Sequence, residues 1–289
     1  MNIAFQNISK QYKGKYALQD FSTELQEGVY GLLGANGAGK TTLINIFVGI
    51  LKRDTGNILI DGVEAGKLGK QFLSQIGYMP QYPIFYPDFR IVDFLDYMCA
   101  LKGIPKEIGR KRIEELLETV NLTEAKHKKI GALSGGMRQR VGIVQAMLGD
   151  PKILILDEPT AGLDPQERIR FRNLITKFSH GRTVLLATHI VSDVECIANE
   201  VLILKKGQLI RQNTISALEQ EIEGKVWLLE QTEHTSITRF DDLKISNMQR
   251  HGDQIALRMI AEEQPDSAAV AVKPNLEDVF LYYFGGDSV

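Results

Sequence analysis

The sequence predicts an α/β protein with a mostly parallel sheet, and three stretches carry that prediction. A glycine-rich loop at 34–42 lies between a short apolar, β-prone segment and apolar residues at helical spacing. The stretches 153–156 and 183–188 are almost continuously apolar or β-branched, which is typical of parallel strands buried on both faces. An antiparallel β subdomain, an inserted helical lobe and a small C-terminal α+β appendage complete the predicted architecture.

The loop at 34–42 fits the phosphate-binding pattern G-x-x-x-x-G-K-[ST] at every fixed position. Its glycines let backbone amides point at an anion, and the following helix adds the positive end of its dipole. Lys40 supplies a charge for the β- and γ-phosphates, and Thr41 supplies a hydroxyl for Mg²⁺. The pattern predicts a P-loop for a nucleoside triphosphate, against the alternative of a glycine-rich turn that merely precedes a helix. The predicted binding positions are Gly34, Asn36, Gly37, Gly39, Lys40, Thr41 and Thr42.

Composition narrows the possible functions. The chain has 289 residues, 44% hydrophobic and 24% charged, as in ordinary globular proteins, and could form one large domain or two. A formal net charge of -2 gives no electrostatic case for nucleic acid as the main ligand. Cys99 and Cys196 lack metal-ligand spacing, which favours a reducing compartment. We expect neither a signal peptide nor a membrane span, so another chain would provide any membrane part.

Short strands are predicted on both sides of the loop. Apolar residues alternate with polar ones at 3–8, which predicts a strand, and 17–21 is predicted as a second strand that pairs back on it at an antiparallel edge. The segment 28–33 is predicted as the strand that leads into the loop. After the loop, a helical face is predicted to carry Leu43, Ile46, Phe47 and Ile50. Tyr12 could stack on a purine, with Tyr16 as the other candidate, although a tyrosine in a turn is commonly surface packing.

The segment 54–81 is predicted as a turn at 54–57, a strand at 58–60, a tight turn at Asp61–Gly62, a polar stretch at 64–75 and a strand at 76–79. Gln81 follows that last strand. An uncharged amide at a strand end can ligate Mg²⁺ or orient a water, so Gln81 is a candidate metal-binding and catalytic residue, against the alternative of an ordinary loop residue.

Residues 83–149 form the predicted helical lobe. Two of its helices are marked by apolar spacing at 94–101 and 113–120, and the basic loop at 126–129 is interpreted as a solvated connector. Ser134, Gly135 and Gly136 then open a third helix, with Ser134 as its N-cap. Two glycines at a helix start allow an anion to approach closely, so this is a second candidate phosphate site, against the alternative of a simply capped helix.

Two carboxylates end the apolar stretch at 153–156. They lie where ligands bind in α/β sheets, so Asp157 is predicted to hold the metal and Glu158 to polarise an attacking water. A loop containing Asp164, a charged helix at 167–178 and the strand 183–188 follow. His189 is expected at the same sheet edge as Glu158, although a histidine after a strand is usually structural. A hairpin at 201–210 closes this domain.

In this order, Lys40, Gln81, Leu133-Ser134-Gly135-Gly136, Asp157-Glu158, Asp164 and His189 resemble the motifs of the ATP-binding subunit of an ATP-binding cassette transporter, over residues 2–215. The resemblance implies a head-to-tail dimer that holds each ATP between the P-loop of one subunit and the Ser134 helix start of the other. It also implies roles for Tyr12 at the adenine, Gln81 in coupling Mg²⁺ and ATP to the helical lobe and its membrane partner, Glu158 as base, His189 at the γ-phosphate and Asp164 across the interface. This chain has Met137 where the commonest form of the motif has Gln. We expect this difference to act on the rate of ATP hydrolysis and to leave intact the holding of ATP between the two subunits.

Residues 216–289 are predicted as a small accessory or dimerisation segment after the cassette domain at 1–215. Strands are expected at 225–230, 244–250 and 255–260, a turn at 251–253 and an amphipathic helix at 275–284. The residues 276–280 are similar to the ending of subunits that serve drug or antibiotic export, which favours export. Packing in a core or interface is favoured over lipid contact for the aromatic residues of this helix.

The sequence therefore predicts an ATP hydrolase that works as a homo- or heterodimer on an integral membrane permease, at the cytoplasmic face of the membrane. The alternative is a cassette ATPase that remodels protein or nucleic-acid complexes without a permease. A single P-loop and the absence of sustained heptads between Gln81 and Leu133 favour the transporter. A nucleotide sensor without hydrolysis conflicts with the presence of Glu158 and His189. The transported substrate is not encoded in these motifs.

Overall fold

The computed structural model describes residues 1–232, 244–252 and 254–285. The strands, in chain order, are β1 (Ile3–Tyr12), β2 (Lys15–Leu25), β3 (Gly28–Leu33), β4 (Thr55–Ile60), β5 (Val63–Glu64), β6 (Ile76–Met79), β7 (Ile153–Asp157), β8 (Thr183–Thr188), β9 (Glu200–Lys205), β10 (Gln208–Asn213), β11 (Val226–Thr232), β12 (Lys244–His251), β13 (Gln254–Ile260) and β14 (Val270–Ala271). The helices are α1 (Lys40–Phe47), α2 (Ala65–Leu68), α3 (Lys70–Ser74), α4 (Ile91–Leu101), α5 (Lys106–Thr119), α6 (Gly135–Met147), α7 (Pro165–Ser179), α8 (Val191–Ile197), α9 (Ile215–Glu221) and α10 (Leu276–Phe284).

The central sheet has the strand order β10-β9-β3-β8-β7-β6. All of its neighbouring pairs are parallel except β10 with β9. Every residue of β7 and β8 is buried, as their apolar sequences predicted, because the sheet is covered on both faces. The mostly parallel α/β prediction is confirmed, and the parallel order brings the C-terminal ends of β3, β6, β7 and β8 to one edge.

A second, antiparallel sheet has the order β2-β1-β4-β5. The prediction of a turn at 54–57 is wrong for Thr55–Asn57, because those residues extend β4 and pair with β1, Thr55 opposite Ser9 and Asn57 opposite Gln6. The pairing is irregular there. Gly56 has a φ of 86°, and a Cβ atom on it would lie 2.4 Å from the Asn7 carbonyl oxygen, so only glycine fits this crossing.

The ends of two other elements differ from the sequence prediction. Helix α1 ends at Phe47, where the Gly49 amide donates to the Ile46 carbonyl, so Ile50 lies beyond the helix and is 69% exposed. The stretch 64–75, predicted only as polar, forms the short helices α2 and α3. Their buried residues, Ala65 and Phe72, pack into the core beneath the antiparallel sheet, and so sparse an apolar pattern gives no helical period to detect.

The helical lobe contains α4, α5 and α6, as predicted. The apolar faces of these helices join one large core with β7 and β8. Its buried members in the lobe include Phe94, Leu95, Ile113, Leu116, Leu117, Val141 and Val144. The lobe is therefore packed on the sheet edge through α6 and does not form a separate core.

The C-terminal segment forms an antiparallel sheet of order β12-β13-β11-β14, covered by α10. The predicted strands and helix are present, and Asn275 and Asp278 form a capping box at the start of α10. The predicted turn at 251–253 includes Asp253, which lies outside the described residues. Helix α9, which the sequence did not predict, and α10 bury Leu218 and Leu276 in the main core, so apolar packing continues across the predicted boundary at 215–216. Among the described residues, no helix has the length and hydropathy of a membrane span.

Candidate nucleotide-binding site

A cavity of about 280 Å³ opens at the edge of the central sheet, where β3 leads into α1. Ligands bind at this edge of open α/β sheets because the strand ends and helix starts converge there. The residues lining the cavity are Ala17, Ala35, Asn36, Gly37, Ala38, Gly39, Lys40, Thr41, Thr42, Gln81 and Glu158. Most of the predicted P-loop positions therefore face one cavity, together with Gln81 and Glu158 from two other strand ends.

The loop backbone is shaped for an anion. Gly39 has a φ of 111°, and a Cβ atom there would lie 2.4 Å from the Ala17 carbonyl oxygen, so no other residue fits. Gly39 is the residue from which α1 starts, and the amides of the first helical turn are free to bind a ligand. Gly34 begins this loop, directly after β3.

Lys40 is buried and held inside the loop. Its Nζ donates to the Gly34 carbonyl at 2.6 Å and lies 3.7 Å from Glu158 Oε1. Burial lowers the pKa of the Lys40 ammonium, and the neighbouring carboxylates of Glu158 and Asp157 oppose that shift. The ammonium is thus preorganised at the mouth of the loop by an ion pair and a backbone acceptor.

Asp157 and Thr41 place a carboxylate and a hydroxyl in contact with each other at this sheet edge. The Thr41 hydroxyl donates to Asp157 Oδ2 at 3.2 Å, whereas the buried Oδ1 atom has no hydrogen-bond partner. Burial raises the pKa of the Asp157 carboxyl, and the Thr41 hydrogen bond opposes the rise. Hard cations such as Mg²⁺ take one or two such oxygen atoms together with phosphate oxygens and water, so an unpaired carboxylate oxygen beside a hydroxyl fits that ion. The described residues contain no cluster of three or more His, Cys, Asp or Glu suited to a metal.

Glu158 is held through its backbone and its side chain. Its φ of 48° lies in the left-handed region, a conformation that costs a residue other than glycine about 1 kcal/mol. Its amide donates to the Ala187 carbonyl at 2.8 Å, and its carboxylate accepts a hydrogen bond of 3.0 Å from the Thr188 hydroxyl. His189 Nδ1 lies 2.9 Å from Glu158 Oε1. The predicted neighbourhood of Glu158 and His189 at one sheet edge is therefore observed.

The predicted residue Tyr12 lies beyond the edge of this cluster. Tyr12, at the end of β1, is 48% exposed and stacks under the Lys10 ammonium at 5.7 Å from the ring centroid. It does not line the cavity within the described residues, whereas Ala17 of β2 does. An adenine role for Tyr12 remains a prediction.

The second candidate anion site lies apart from the cavity. Ser134 caps α6 by accepting a hydrogen bond from the Met137 amide at 3.2 Å, and Asp164 caps α7 by accepting one from the Glu167 amide at 2.9 Å. Ser134, Gly135 and Asp164 are exposed. None of them, nor Gly136, contributes to the lining of the cavity among the described residues. In the part of the chain that the structure describes, the two candidate phosphate-binding elements thus do not share this cavity.

Sequence reasoning missed Thr188, which holds the Glu158 carboxylate and also accepts a hydrogen bond from the Ile190 amide at 3.0 Å. A hydroxyl at the last position of a buried strand, next to His189, was the available signal. Ala17 was also missed, since an alanine in an edge strand carries no chemical signature.

Comparison with known proteins identifies the family of the chain. The family model described as "ABC transporter" matches residues 18–161. An uncharacterized ABC transporter ATP-binding protein of Bacillus subtilis, YxlF, is 37% identical over 78% of this chain and 76% of its own length. This chain belongs to the ABC transporter ATP-binding proteins. The resemblance and the fold class predicted from the motifs are both confirmed.

Two further relatives extend the comparison. Nod factor export ATP-binding protein I of Burkholderia orbicola is 30% identical over 98% of this chain and 97% of its own length. The ATP-binding cassette MJ0796, solved as a dimer in a post-hydrolysis state with ADP and Pi, matches with a TM-score of 0.66 and 27% identity, over 73% of this chain and 98% of that one. As a member of this family the chain is a nucleotide-binding ATPase, and its relatives support a part in ATP-driven transport.

Proposed function

We propose that two of these subunits close on ATP and Mg²⁺ and, by hydrolysing ATP, drive export of a substrate through separate transmembrane subunits. The observation that carries the proposal is the separation of the P-loop cavity from the Ser134 helix start. A phosphate held by Lys40 needs the second element from another copy of the chain. The dimeric state of the MJ0796 cassette supports the same arrangement.

The residues of the cavity divide the chemistry among them. Lys40 and the loop amides bind the β- and γ-phosphates, and Asn36, Gly37 and Thr42 shape the same cradle. Thr41, Asp157 and Gln81 would hold Mg²⁺, which when bound neutralises charge on the phosphate oxygens.

Glu158 acts on the water. Its carboxylate, which accepts a hydrogen bond from Thr188 and belongs to the lining of the cavity, accepts the proton of the attacking water as general base. His189, whose Nδ1 lies 2.9 Å from Glu158 Oε1, would contact the γ-phosphate. Tyr12 supports the adenine, and Ser134, Gly135, Gly136 and Asp164 act across the dimer interface.

Removing the Ser134 hydroxyl tests the shared site. Ser134→Ala is expected to leave ATP binding by the monomer within about twofold and to lower the turnover rate at least tenfold, since a hydrogen bond to a charged phosphate contributes about 1.5–3 kcal/mol. Equilibrium ATP binding and steady-state hydrolysis measure the two effects.

Loss of the helix cap alone costs about 1 kcal/mol of stability, and a matched variant separates that effect. Thr214 caps α9 in the same way, accepting from the Ala217 amide at 3.3 Å, away from the cavity. Thr214→Ala should hydrolyse ATP normally. Equal turnover in Ser134→Ala and Thr214→Ala would contradict the shared site.

The membrane partner is proposed to dock beside Gln81. Directly after it, Tyr82 and Ile84 are 80% and 87% exposed, and Tyr86, Phe89 and Tyr97 form an aromatic cluster next to them. Exposed apolar groups of this kind mark interaction sites, and here they continue from a residue that lines the nucleotide cavity. The contact would place the chain at the cytoplasmic face of the membrane. It would also couple the permease to the nucleotide bound in the cavity.

Co-purification from a detergent extract tests this partner. The wild-type chain is expected to bring down an integral membrane subunit that raises its ATPase rate, and the double variant Tyr82→Ser/Ile84→Ser is expected to lose that subunit while keeping its basal rate. Met248→Ser, at a 51% exposed position of β12, is the control for loss of an exposed apolar group. A soluble partner instead, or stimulation by RNA or DNA, would favour the complex-remodelling alternative.

A further inference from the structure

Asp193 is a buried carboxylate on α8 that lies outside the nucleotide cavity. Its side chain is 1% exposed. It accepts a hydrogen bond from the Thr160 hydroxyl and another, of 3.1 Å, from the Arg168 guanidinium. The guanidinium of Arg172 lies 3.5 Å away. A hydroxyl and two cations thus converge on one buried anion.

The partners of Asp193 come from the segments that carry the proposed catalytic groups. Thr160 lies in the loop that begins at Glu158, where the Ala161 amide donates to the Glu158 carbonyl at 3.2 Å. The same loop continues to Asp164, the cap of α7.

Helix α7 is fastened to α8 by its arginines. Besides their contacts with Asp193, Arg168 donates to the Ser192 hydroxyl at 3.3 Å and Arg172 to the Ser192 carbonyl at 3.2 Å. Since α8 begins just after His189, the start of α7 and the His189 loop share one set of polar contacts.

The contacts of Asp193 depend on one another. Breaking a buried ion pair leaves an uncompensated charge, which is strongly destabilising, so the contacts of Asp193 with Thr160 and the two arginines hold together or fail together. A shift of the Asp164 end of α7 is therefore transmitted to the Glu158 loop and to the His189 loop.

We propose that Asp193 is a positioning residue that couples the Asp164 loop to Glu158 and His189. In the proposed dimer, on which this coupling rests, contact of the partner subunit with the Asp164 loop is passed through Asp193 to the groups that face the γ-phosphate. Asp193 itself touches neither nucleotide nor water in this scheme. It aligns the groups that do.

The variant Asp193→Asn tests the coupling. The kcat for ATP is expected to fall about tenfold or more, because a small misplacement of reacting groups is costly, while KM for ATP and the affinity of the monomer for ATP stay within about twofold. Asp278→Asn is the matched control. Asp278 is also fully buried, is paired with Arg258 at 2.6 Å and accepts from the Ser246 hydroxyl at 2.7 Å, but it belongs to the C-terminal sheet and α10. An unchanged kcat in Asp193→Asn, or an equal loss of kcat in Asp278→Asn, would overturn the inference.

A pair of milder variants guards against unfolding of Asp193→Asn. Thr160→Val removes the hydroxyl that Asp193 accepts from and keeps the shape, and it should lower kcat at unchanged KM. Thr160→Ser keeps the hydroxyl and should restore most of that kcat. Equal rates for the Val and Ser variants would overturn the coupling through Thr160.

The Glu158→Gln background separates this inference from the proposed function. Glu158→Gln alone should form a dimer with ATP, and adding Asp193→Asn should shift dimer formation to higher protein concentration. Absence of the dimer in Glu158→Gln itself would overturn the proposed dimer, and the coupling with it. A normal dimer in both, together with wild-type kcat in Asp193→Asn, would overturn the coupling alone.

Discussion

We expect the Glu158→Gln variant to bind ATP, to lose hydrolysis and to accumulate as an ATP-bound dimer. A glutamine amide keeps the size of the side chain and its contact with the Thr188 hydroxyl, but it cannot take a proton from water. General-base catalysis contributes about 10²–10⁴-fold to rates, so hydrolysis should fall by that factor. Size-exclusion chromatography with light scattering, in the presence of ATP and Mg²⁺, should resolve the trapped dimer from the monomer.

We expect the loss of hydrolysis and the trapped dimer to result from removing the Glu158 carboxylate, and not from the change in the net charge of the chain. Glu195 is an exposed glutamate on α8, and Glu195→Gln makes the same chemical change without touching the cavity. It should hydrolyse ATP at the wild-type rate and stay monomeric afterwards. A Glu158→Gln variant with normal turnover would rule out Glu158 as the base.

Much of this site could be predicted from the sequence because its signals are local. The P-loop spacing fixes Lys40 and Thr41 relative to a strand and a helix, and the apolar stretches before Asp157 and His189 identify two buried parallel strands. Parallel strands bring their C-terminal ends to one edge, so the neighbourhood of Glu158 and His189 followed from the predicted fold. Its observed counterpart is the 2.9 Å contact between those two side chains.

The parts that sequence reasoning missed depend on contacts between distant segments. Thr55 belongs to a strand only because β1 lies beside it, and α9 is a helix whose single buried position, Leu218, gives no period. The contact of Thr160 with Asp193 joins a loop to a helix, and no motif relates the two. A threonine and an aspartate at such positions look like ordinary polar residues until the fold brings them together and removes water from around them.

Lys40→Ala is expected to lower the affinity for nucleotide about 100-fold, because hydrogen bonds to charged groups contribute about 1.5–3 kcal/mol each. At the concentrations of ATP analogue that are used for the wild type, no binding should then be detected. The variant loses the only cation whose ammonium lines the cavity among the described residues, and it leaves Glu158 without the partner at 3.7 Å. The carboxylates of Glu158 and Asp157 then repel the phosphates without the Lys40 charge to offset them. The affinity should therefore fall by more than the loss of the Lys40 hydrogen bond alone requires. Titration with a fluorescent, slowly hydrolysed ATP analogue measures the affinity, and thermal unfolding of the same samples verifies that the chain is folded.

Lys70→Ala, at an exposed lysine of α3, removes one positive charge elsewhere and should bind the analogue as the wild type does. If Lys40→Ala bound the analogue as tightly as Lys70→Ala, the phosphates would not lie in this loop, and the cavity at the start of α1 would lose its assignment.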